Sequence, residues 1–315
     1  MAESETRRRL RWPWLLPAGV VGLLAASVFS PALVPNLLAK LQSYDRVTNI
    51  AYAQGERHRL DVYRAHGMTA RPVLVFFYGG SWQAGSKDMY AFLASTLAAR
   101  GYVVIVPDYR VYPEVKFPVF LEDGAEAVRW TRDNATAFGG DPSRIFIMGH
   151  SAGAHIAAML ALDDEWLRGV GLSPSRDISG LIGVSGPYDF LPLKDDNLKV
   201  IFGGDNRAQT QPITFAKDAS STAKGDKPAA LLLTGSADTT VSPRNSEKLA
   251  AALRANGNVA TEVVYPKLGH ISILLAFAPF VSRFFPALDE IDAFVGGAKS
   301  SPASAARPTA AVVRQ

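Results

Sequence analysis

The stretch Gly149-His150-Ser151-Ala152-Gly153 has the pattern G-x-S-x-G and lies between an apolar run at 144–148 and a run with helical spacing at 154–162. A serine placed between a buried strand and a helix in this way is typical of a nucleophile elbow. The glycines permit the sharp turn that exposes the serine oxygen at the carboxyl edge of a sheet. The spacing therefore predicts that Ser151 is a nucleophile.

A serine nucleophile needs a base within hydrogen-bond reach and an acid that orients the base, and an elbow fold supplies them in the order serine, acid, histidine. Of the five histidines, two precede the elbow and two flank Ser151 too closely to reach back to it. His270 lies downstream, after a strand-like run at 260–265. We therefore expect His270 to be the base, on a loop at the carboxyl edge of the last strand.

Two aspartates follow strand-like runs and could orient this base. Asp238 comes after the run at 229–234 and a short turn, and we expect its carboxylate to accept the second ring N–H of His270. Asp189 follows the run at 179–184 and is the alternative acid. A turn or helix-cap role would also suit Asp189.

The negative oxygen of a tetrahedral intermediate needs backbone donors, and two segments can supply them. The N–H of Ala152 comes directly after the nucleophile. Gly79 and Gly80 follow the buried run at 72–77 and bring backbone N–H groups to the same sheet edge. The sequence therefore predicts an oxyanion hole made by Gly79, Gly80 and Ala152.

Aromatic residues next to these segments are candidates for the substrate pocket. We expect Trp82, Tyr112 and Phe190 to contact substrate, because pockets combine aromatic walls with a few polar groups. Asp108 and Tyr109 follow the run at 102–106, and we expect them to support the loop beneath the oxyanion hole.

The elements that must position these residues alternate between strand and helix. Strand patterns occur at 47–53, 57–63, 72–77, 102–106, 144–148, 179–184, 229–234 and 260–265, and helical patterns at 89–100, 119–137, 154–162 and 243–256. The first two strands read as an antiparallel edge pair, while those at 72–77, 102–106 and 144–148 are continuous apolar runs that are expected to be buried on both faces. The sequence predicts an α/β fold with a mostly parallel central sheet flanked by helices.

The chain of 315 residues, 48% of them hydrophobic, is long enough for one large core. We expect a catalytic domain at 42–295 that carries a short cap-like insertion at 186–228, which is rich in Asp, Lys, Asn, Gly and Pro. The apolar run at 271–285 is expected to pack as the final helix. Residues 296–315 are rich in Ala, Ser, Gly and Pro and are expected to form a disordered tail.

Residues 1–41 are typical of a signal or membrane-anchor segment followed by a linker. A cluster of arginines at positions 7, 8, 9 and 11 precedes an apolar stretch at 12–34, of which 15–29 carries no charge. The positive flank would stay in the cytoplasm, so we expect an exported or inner-membrane-anchored protein with its catalytic domain on the periplasmic or extracellular side. Cleavage of the segment, its retention as an anchor, and a buried N-terminal helix of a soluble protein are the alternatives.

Charge and cysteine content exclude several function classes. The net charge of +4 owes much to the arginine cluster outside the catalytic domain, so we expect no nucleic-acid partner. The chain has no cysteine, which excludes disulfides and thiolate metal sites. No group of histidines and carboxylates has metal-ligand spacing, so we expect no metal.

Over about 44–294 the chain resembles the α/β-hydrolase superfamily, and within it the esterases of the hormone-sensitive-lipase, kynurenine-formamidase and isoprenylcysteine-methylesterase type. The resemblance rests on Leu60-Asp61-Val62-Tyr63, Tyr78-Gly79-Gly80-Ser81-Trp82, Asp108-Tyr109-Arg110, Phe138-Gly139-Gly140-Asp141-Pro142, the elbow, Gly186-Pro187-Tyr188-Asp189 and Gly269-His270. Tyr78 stands where many members have histidine. The resemblance implies an α/β-hydrolase fold and hydrolysis of small or medium carboxylic esters through an acyl-enzyme, without an organic cofactor.

Three other functions are compatible with the same residues. An arylformamidase or other amidase would use the same triad on an amide bond. A lipase would act at lipid interfaces, which the apolar segments at the N-terminus and at 271–285 could favour. A membrane-tethered binding protein could carry the fold without using it for catalysis.

Overall fold

The computed structural model describes residues 32–217 and 225–298, and their core is an eight-stranded sheet with the order β1-β2-β4-β3-β5-β6-β7-β8. The strands are β1 (Asp45–Ala51), β2 (Arg59–Arg64), β3 (Arg71–Phe77), β4 (Val103–Pro107), β5 (Gly140–His150), β6 (Gly180–Val184), β7 (Ala230–Gly235) and β8 (Ala260–Tyr265).

The sheet is parallel from β4 through β8, while β1 and β2 form an antiparallel pair at one edge. Strands β4, β6 and β7 are buried along their whole length. Because both of their faces are covered, these strands consist of continuous apolar runs rather than alternating ones. The predicted mostly parallel sheet with an antiparallel edge is confirmed.

The helices lie between and around these strands. They are α1 (Leu33–Ala39), α2 (Ala91–Ala99), α3 (Val119–Asn134), α4 (Ala152–Leu162), α5 (Asp164–Gly169), α6 (Pro174–Asp177), α7 (Asp196–Phe202), α8 (Pro212–Ala216), α9 (Arg244–Ala255) and α10 (Ala287–Gly297), with 3-10 turns at Lys87–Tyr90, Ala135–Phe138, Ala208–Thr210, Ser272–Phe277 and Ser282–Phe284. Every residue of α4 is buried, so the helix that follows the elbow is fixed on all sides.

The expected final helix at 271–285 is wrong. Two 3-10 turns occupy this segment, and the final helix is α10, which begins at Ala287 and ends at Gly297. Pro279 interrupts the run and Pro286 directly follows it, and proline inside a helix removes a backbone hydrogen bond and clashes with the preceding turn. Apolar content alone therefore misled the prediction.

The inserted region at 186–228 contains α7 and α8, and α8 packs against α4 and α9. Asn245 of α9 anchors the start of the inserted region, because Asn245 Oδ1 accepts from the backbone N–H of Tyr188 and of Asp189, each at 2.8 Å. Residues 218–224 of the insertion lie outside the described residues. The described part is thus a set of short helices fastened to the main domain.

Helix α1, which lies within the predicted segment and linker at 1–41, packs against α2. Asn36 Oδ1 accepts from the N–H of Phe92 at 2.8 Å, and Asn36 Nδ2 donates to the Asp88 carbonyl at 3.0 Å. Residues 1–31 of the predicted signal or anchor segment and residues 299–315 of the predicted tail lie outside the described residues. The sequence predicts that the tail begins at 296, but Gly296 and Gly297 belong to helix α10. Within 32–217 and 225–298, no helix has the length and apolar character needed to cross a bilayer.

Candidate active site

Ser151 occupies the tight turn between β5 and α4. Its backbone has φ 54° and ψ −123°, a conformation that is costly for a residue with a side chain. A Cβ atom on Gly149 would collide with the Gly153 carbonyl, and one on Gly153 would collide with the Phe77 carbonyl. The turn therefore needs both glycines, and it presents the Ser151 hydroxyl at the carboxyl edge of the sheet.

Three side chains from three loops meet at this edge. His270 Nε2 lies 2.8 Å from Ser151 Oγ, and His270 Nδ1 lies 2.9 Å from Asp238 Oδ2. The second oxygen of Asp238 accepts from the backbone N–H groups of Thr240 at 3.0 Å and Val241 at 2.9 Å. The Asp238 side chain is fully buried, so its orientation is fixed by these partners.

Asp189, the alternative acid, does not reach the base. Its carboxylate forms an ion pair with Lys248 of α9, at 2.6 Å. This contact fastens the start of the insertion to α9. Of the two aspartates considered from the sequence, the structure thus brings Asp238 to His270.

The predicted oxyanion donors differ in whether their backbone N–H groups already have a hydrogen-bond partner. Among the described residues, the N–H groups of Gly80 and Ala152 have no hydrogen-bond acceptor. The N–H of Gly79 donates to the Tyr90 hydroxyl, at 3.3 Å. The N–H of Gly79 therefore already has a partner, on a Tyr90 ring that stacks on Tyr78.

Hydrogen bonds with Tyr109, Asp108 and Arg57 support the oxyanion loop that begins at Tyr78. Tyr109 Oη donates to the Tyr78 carbonyl at 2.6 Å, and Tyr78 Oη donates to Asp108 Oδ1 at 3.0 Å. Asp108 also accepts from the backbone N–H of Lys87, and burial raises the pKa of its carboxyl above the usual value. Arg57 bonds both the Tyr78 hydroxyl and the Tyr109 carbonyl. The expected support by Asp108 and Tyr109 is confirmed.

Two of the three predicted substrate contacts belong to one aromatic cluster. The Trp82 ring stacks on Phe190 with centroids 5.8 Å apart, and it meets Phe202 edge-on at 4.8 Å. Trp82 also meets His155, one helical turn beyond Ser151, at 5.1 Å. Tyr112 is joined to this cluster through its backbone, since its N–H donates to the Trp82 carbonyl.

Phe202 and His155 were not predicted as site residues. His155 is fully buried, its Nε2 bonds the Thr210 carbonyl at 2.8 Å, and burial lowers its pKa to about 4. Its Nδ1 and the Trp82 Nε1 find no partner among the described residues. The position of His155 four residues after the nucleophile, on the same helix face, was the available sequence signal.

Tyr90 and His150 were also missed as members of the site. Tyr90 Oη lies 3.3 Å from His150 Nδ1, and His150 Nε2 lies 3.0 Å from the His270 carbonyl. His150 directly precedes the nucleophile, and this adjacency was used in the sequence only to exclude it as the base. Tyr90 lies on a turn about 60 residues earlier and gave no sequence signal.

The arrangement is suited to transfer of an acyl group. Ser151 can give its proton to His270, Asp238 can stabilise the resulting imidazolium, and the free N–H groups of Gly80 and Ala152 can stabilise a developing oxyanion. In the described parts of the chain, no three His, Asp or Glu side chains are close enough to hold a metal ion.

Comparisons with known proteins match both the sequence and the fold. The BD-FAE family model matches residues 60–253, more than half of the chain. A probable isoprenylcysteine alpha-carbonyl methylesterase of Oryza sativa subsp. japonica is 32% identical over 243 residues, covering 72% of this chain and 57% of that protein. Isoprenylcysteine alpha-carbonyl methylesterase of Arabidopsis thaliana is 31% identical over 272 residues, covering 80% and 64%.

This chain therefore spans about three fifths of the length of these relatives. Among solved structures, an esterase of Pyrobaculum calidifontis superposes with a TM-score of 0.68 at 24% identity, covering 84% of this chain and 89% of that one. At this level of identity, the similarity to the Pyrobaculum esterase shows a shared fold and nothing more.

Proposed function

The chain belongs to the BD-FAE family and has the α/β-hydrolase fold, and from this premise we propose that it is a serine carboxylesterase acting on small or medium carboxylic esters. The observation that carries the proposal is the continuous contact from Asp238 through His270 to Ser151, at 2.9 and 2.8 Å. These distances allow proton transfer without rearrangement of the side chains.

Acylation begins when Ser151 Oγ attacks the ester carbonyl while His270 Nε2 takes its proton. Asp238 accepts the N–H at His270 Nδ1, which fixes the neutral tautomer with a free Nε2 and stabilises the imidazolium. The oxyanion forms opposite the N–H groups of Gly80 and Ala152. His270 then donates its proton to the departing alcohol.

Deacylation reverses these roles with water. His270 removes a proton from water, which attacks the acyl-enzyme, and the carboxylic acid leaves as Ser151 regains its proton. Each step uses groups of this chain alone. The names of the rice and Arabidopsis relatives specify methylesters, so esters with a small alcohol are an appropriate part of the substrate series.

The test is hydrolysis of p-nitrophenyl esters from acetate to decanoate, together with methyl esters of apolar acids, by the full chain and by Ser151→Ala. We expect the variant to lose at least about a thousandfold in kcat, because it lacks the nucleophile. Ser179→Ala is the matched control, since Ser179 bonds the Ser143 carbonyl at the opposite edge of the sheet. A fluorophosphonate should label the wild type and Ser179→Ala but not Ser151→Ala.

A folded wild-type protein that hydrolyses none of these esters and takes no label would contradict the proposal. Paired esters and anilides of the same acid distinguish an esterase from an amidase. We expect esters to be hydrolysed faster, and a preference for the anilide or for an aryl formamide would favour the amidase.

Action at a lipid interface is a second candidate, favoured by exposed apolar side chains in the segment that follows the base in the sequence. Ile271, directly after His270, is 54% exposed, and Phe280 and Phe284 are 51% and 72% exposed. An ester titrated through its aggregation concentration distinguishes the two. A sharp rise in rate at that concentration would favour a lipase, whereas smooth saturation would favour an esterase acting on dissolved substrate.

We also propose that residues 1–41 direct the chain to a membrane, with the catalytic domain on the periplasmic or extracellular side. The arginine cluster and the uncharged stretch at 15–29 support this placement. Helix α1 continues the apolar pattern, with Leu33 and Leu37 exposed on it and Leu41 exposed just after it. Protease added to intact spheroplasts should digest the catalytic domain, and its protection there would contradict the proposal.

A further inference from the structure

A chain of hydrogen bonds crosses the site behind Ser151 and joins its two sides. The N–H of Gly79 donates to Tyr90 Oη at 3.3 Å, and Tyr90 Oη lies 3.3 Å from His150 Nδ1. His150 Nε2 then lies 3.0 Å from the backbone carbonyl of His270. The chain runs from the oxyanion loop after β3 to the loop that carries the base after β8.

The proton positions in this hydrogen-bond chain follow from its two ends, the backbone N–H of Gly79 and the backbone carbonyl of His270, together with the pKa values of the groups between them. A carbonyl oxygen can only accept, so His150 Nε2 must carry a proton and donate it to His270. Burial, and the nearby His270, lower the pKa of His150 to about 4, so the ring is neutral and its Nδ1 is an acceptor. Burial raises the pKa of Tyr90 to about 12, so its hydroxyl donates to Nδ1 and accepts from Gly79. Each hydrogen bond therefore points the same way: Gly79 donates to Tyr90, Tyr90 donates to His150, and His150 donates to the His270 carbonyl.

This hydrogen-bond chain joins the oxyanion loop after β3 to the loop after β8 that carries His270, and the distance between these loops matters for the reaction. The oxyanion donors and the base approach the same carbonyl group from different strands, and neither loop has regular structure. An error of about 1 Å in such a distance can cost about a hundredfold in rate. His150 is fixed at the end of β5, between the two loops, and can hold both.

We propose that Tyr90 and His150 are positioning residues that set the distance between the oxyanion loop and the main chain of His270. The inference rests on the proposed esterase function. Neither residue hydrogen-bonds the reacting atoms: Tyr90 bonds the oxyanion loop at Gly79, and His150 bonds the backbone carbonyl of His270. The His150 ring also packs against the His270 imidazole, with centroids 5.0 Å apart, so it supports the base from the side as well. Their removal should therefore slow the chemical step without weakening substrate binding.

The test uses three variants of the full chain and one matched control. Tyr90→Phe removes the hydroxyl and keeps the buried ring. His150→Asn keeps an acceptor near the Nδ1 position but loses the donor to His270, whereas the amide of His150→Gln keeps a donor near the Nε2 position and an oxygen that can accept from Tyr90. The control is Tyr63→Phe, because Tyr63 is also fully buried but its hydroxyl has no partner among the described residues.

We expect Tyr90→Phe and His150→Asn to lower kcat about tenfold or more while KM stays within about twofold, as for an interaction that serves only the chemical step. His150→Gln should keep kcat within about threefold of the wild type, because a donor to the His270 carbonyl remains. Tyr63→Phe should match the wild type. Melting temperatures measured alongside show that each variant is folded.

The inference is overturned if Tyr90→Phe keeps the kcat of Tyr63→Phe, or if folded His150→Gln is as slow as His150→Asn. A rise in KM that accounts for the whole loss would also overturn it, since it would place these residues in substrate binding. If His150→Asn does not fold, Tyr90→Phe decides alone. An inactive wild type would instead contradict the proposed function, so the two failures are distinct.

Discussion

Gly79 approaches Ser151 so closely that a methyl group added to Gly79 would lie 2.9 Å from Ser151 Cβ and 3.0 Å from His150 Nδ1. No side chain therefore separates the oxyanion loop from the nucleophile elbow. Oxyanion donors act when they lie about 3 Å from the developing charge, so the closeness of these two backbones is a requirement of the chemistry. Glycine at position 79 is what permits it.

Gly79→Ala should accordingly lower kcat at least about tenfold, because the loop must move away from the elbow by a few tenths of an ångström or more. Steady-state kinetics on p-nitrophenyl acetate measure the loss. Gly169→Ala is the control, since the position its Cβ would take has no neighbouring atom within 4 Å apart from the local backbone of its own helix. An unchanged kcat in Gly79→Ala would show that the loop tolerates this displacement.

Asp238→Asn should lower kcat by about a thousandfold to ten thousandfold while leaving the fold intact. The amide can keep an oxygen toward Thr240 and Val241, but its NH₂ group then faces His270 Nδ1 and forces the tautomer that cannot accept from Ser151. Kinetics at saturating ester measure the effect. Asp189→Asn, which removes only the ion pair with Lys248, should stay near the wild type. A larger loss in Asp189→Asn would reverse the assignment of the acid.

The sheet could be predicted because its central parallel strands, such as β3, β4, β6 and β7, are buried on both faces and so appear as apolar runs. Strands β3 and β5 carry Gly79 and Ser151 at their ends, and the order of residues in the chain then located Asp238 and His270. The segment at 271–285 could not be predicted in this way, because Pro279 breaks the helix that its apolar content favours.

The contacts of Tyr90 could not be predicted from sequence either. They depend on a turn that returns the ring beneath the oxyanion loop, 11 residues after Gly79 and 60 before His150. The same contact explains why Gly79, although correctly placed at the sheet edge, has its N–H already bonded. Backbone position follows from the order of strands, whereas the partner of a given N–H depends on side-chain packing.

Trp82→Ala should shift the acyl preference toward longer chains. Trp82 is 4% exposed and packs on His155, one turn beyond Ser151, so its removal opens apolar space near the nucleophile. We expect the ratio of kcat/KM for hexanoate to that for acetate to rise about tenfold, as one or two methylenes gain an apolar site. Trp130→Ala is the control, because Trp130 packs on Phe138 at the far end of α3. An unchanged ratio would place the acyl chain elsewhere.

The two buried histidines His150 and His155 predict a loss of stability in mild acid. Burial lowers the pKa of each to about 4 in the folded chain, against an ordinary value of 6.5. Between these values the unfolded chain binds protons that the folded chain excludes, so the free energy of unfolding falls as the pH falls from about 6.5 to about 4. Above about 6.5 neither group contributes to the pH dependence. Each contributes at most about 3 kcal/mol of loss, reached near pH 4.

His155→Gln should remove its share of this pH dependence, because glutamine can keep a donor to the Thr210 carbonyl but does not titrate. Urea unfolding at pH 7 and pH 5 gives the decrease in the free energy of unfolding, and we expect it to be about 2 kcal/mol smaller in the variant. His66→Gln is the control, since the His66 side chain is 58% exposed. A variant that lost as much stability in acid as the wild type would show that His155 takes up its proton without unfolding, for example by turning toward the insertion that covers it.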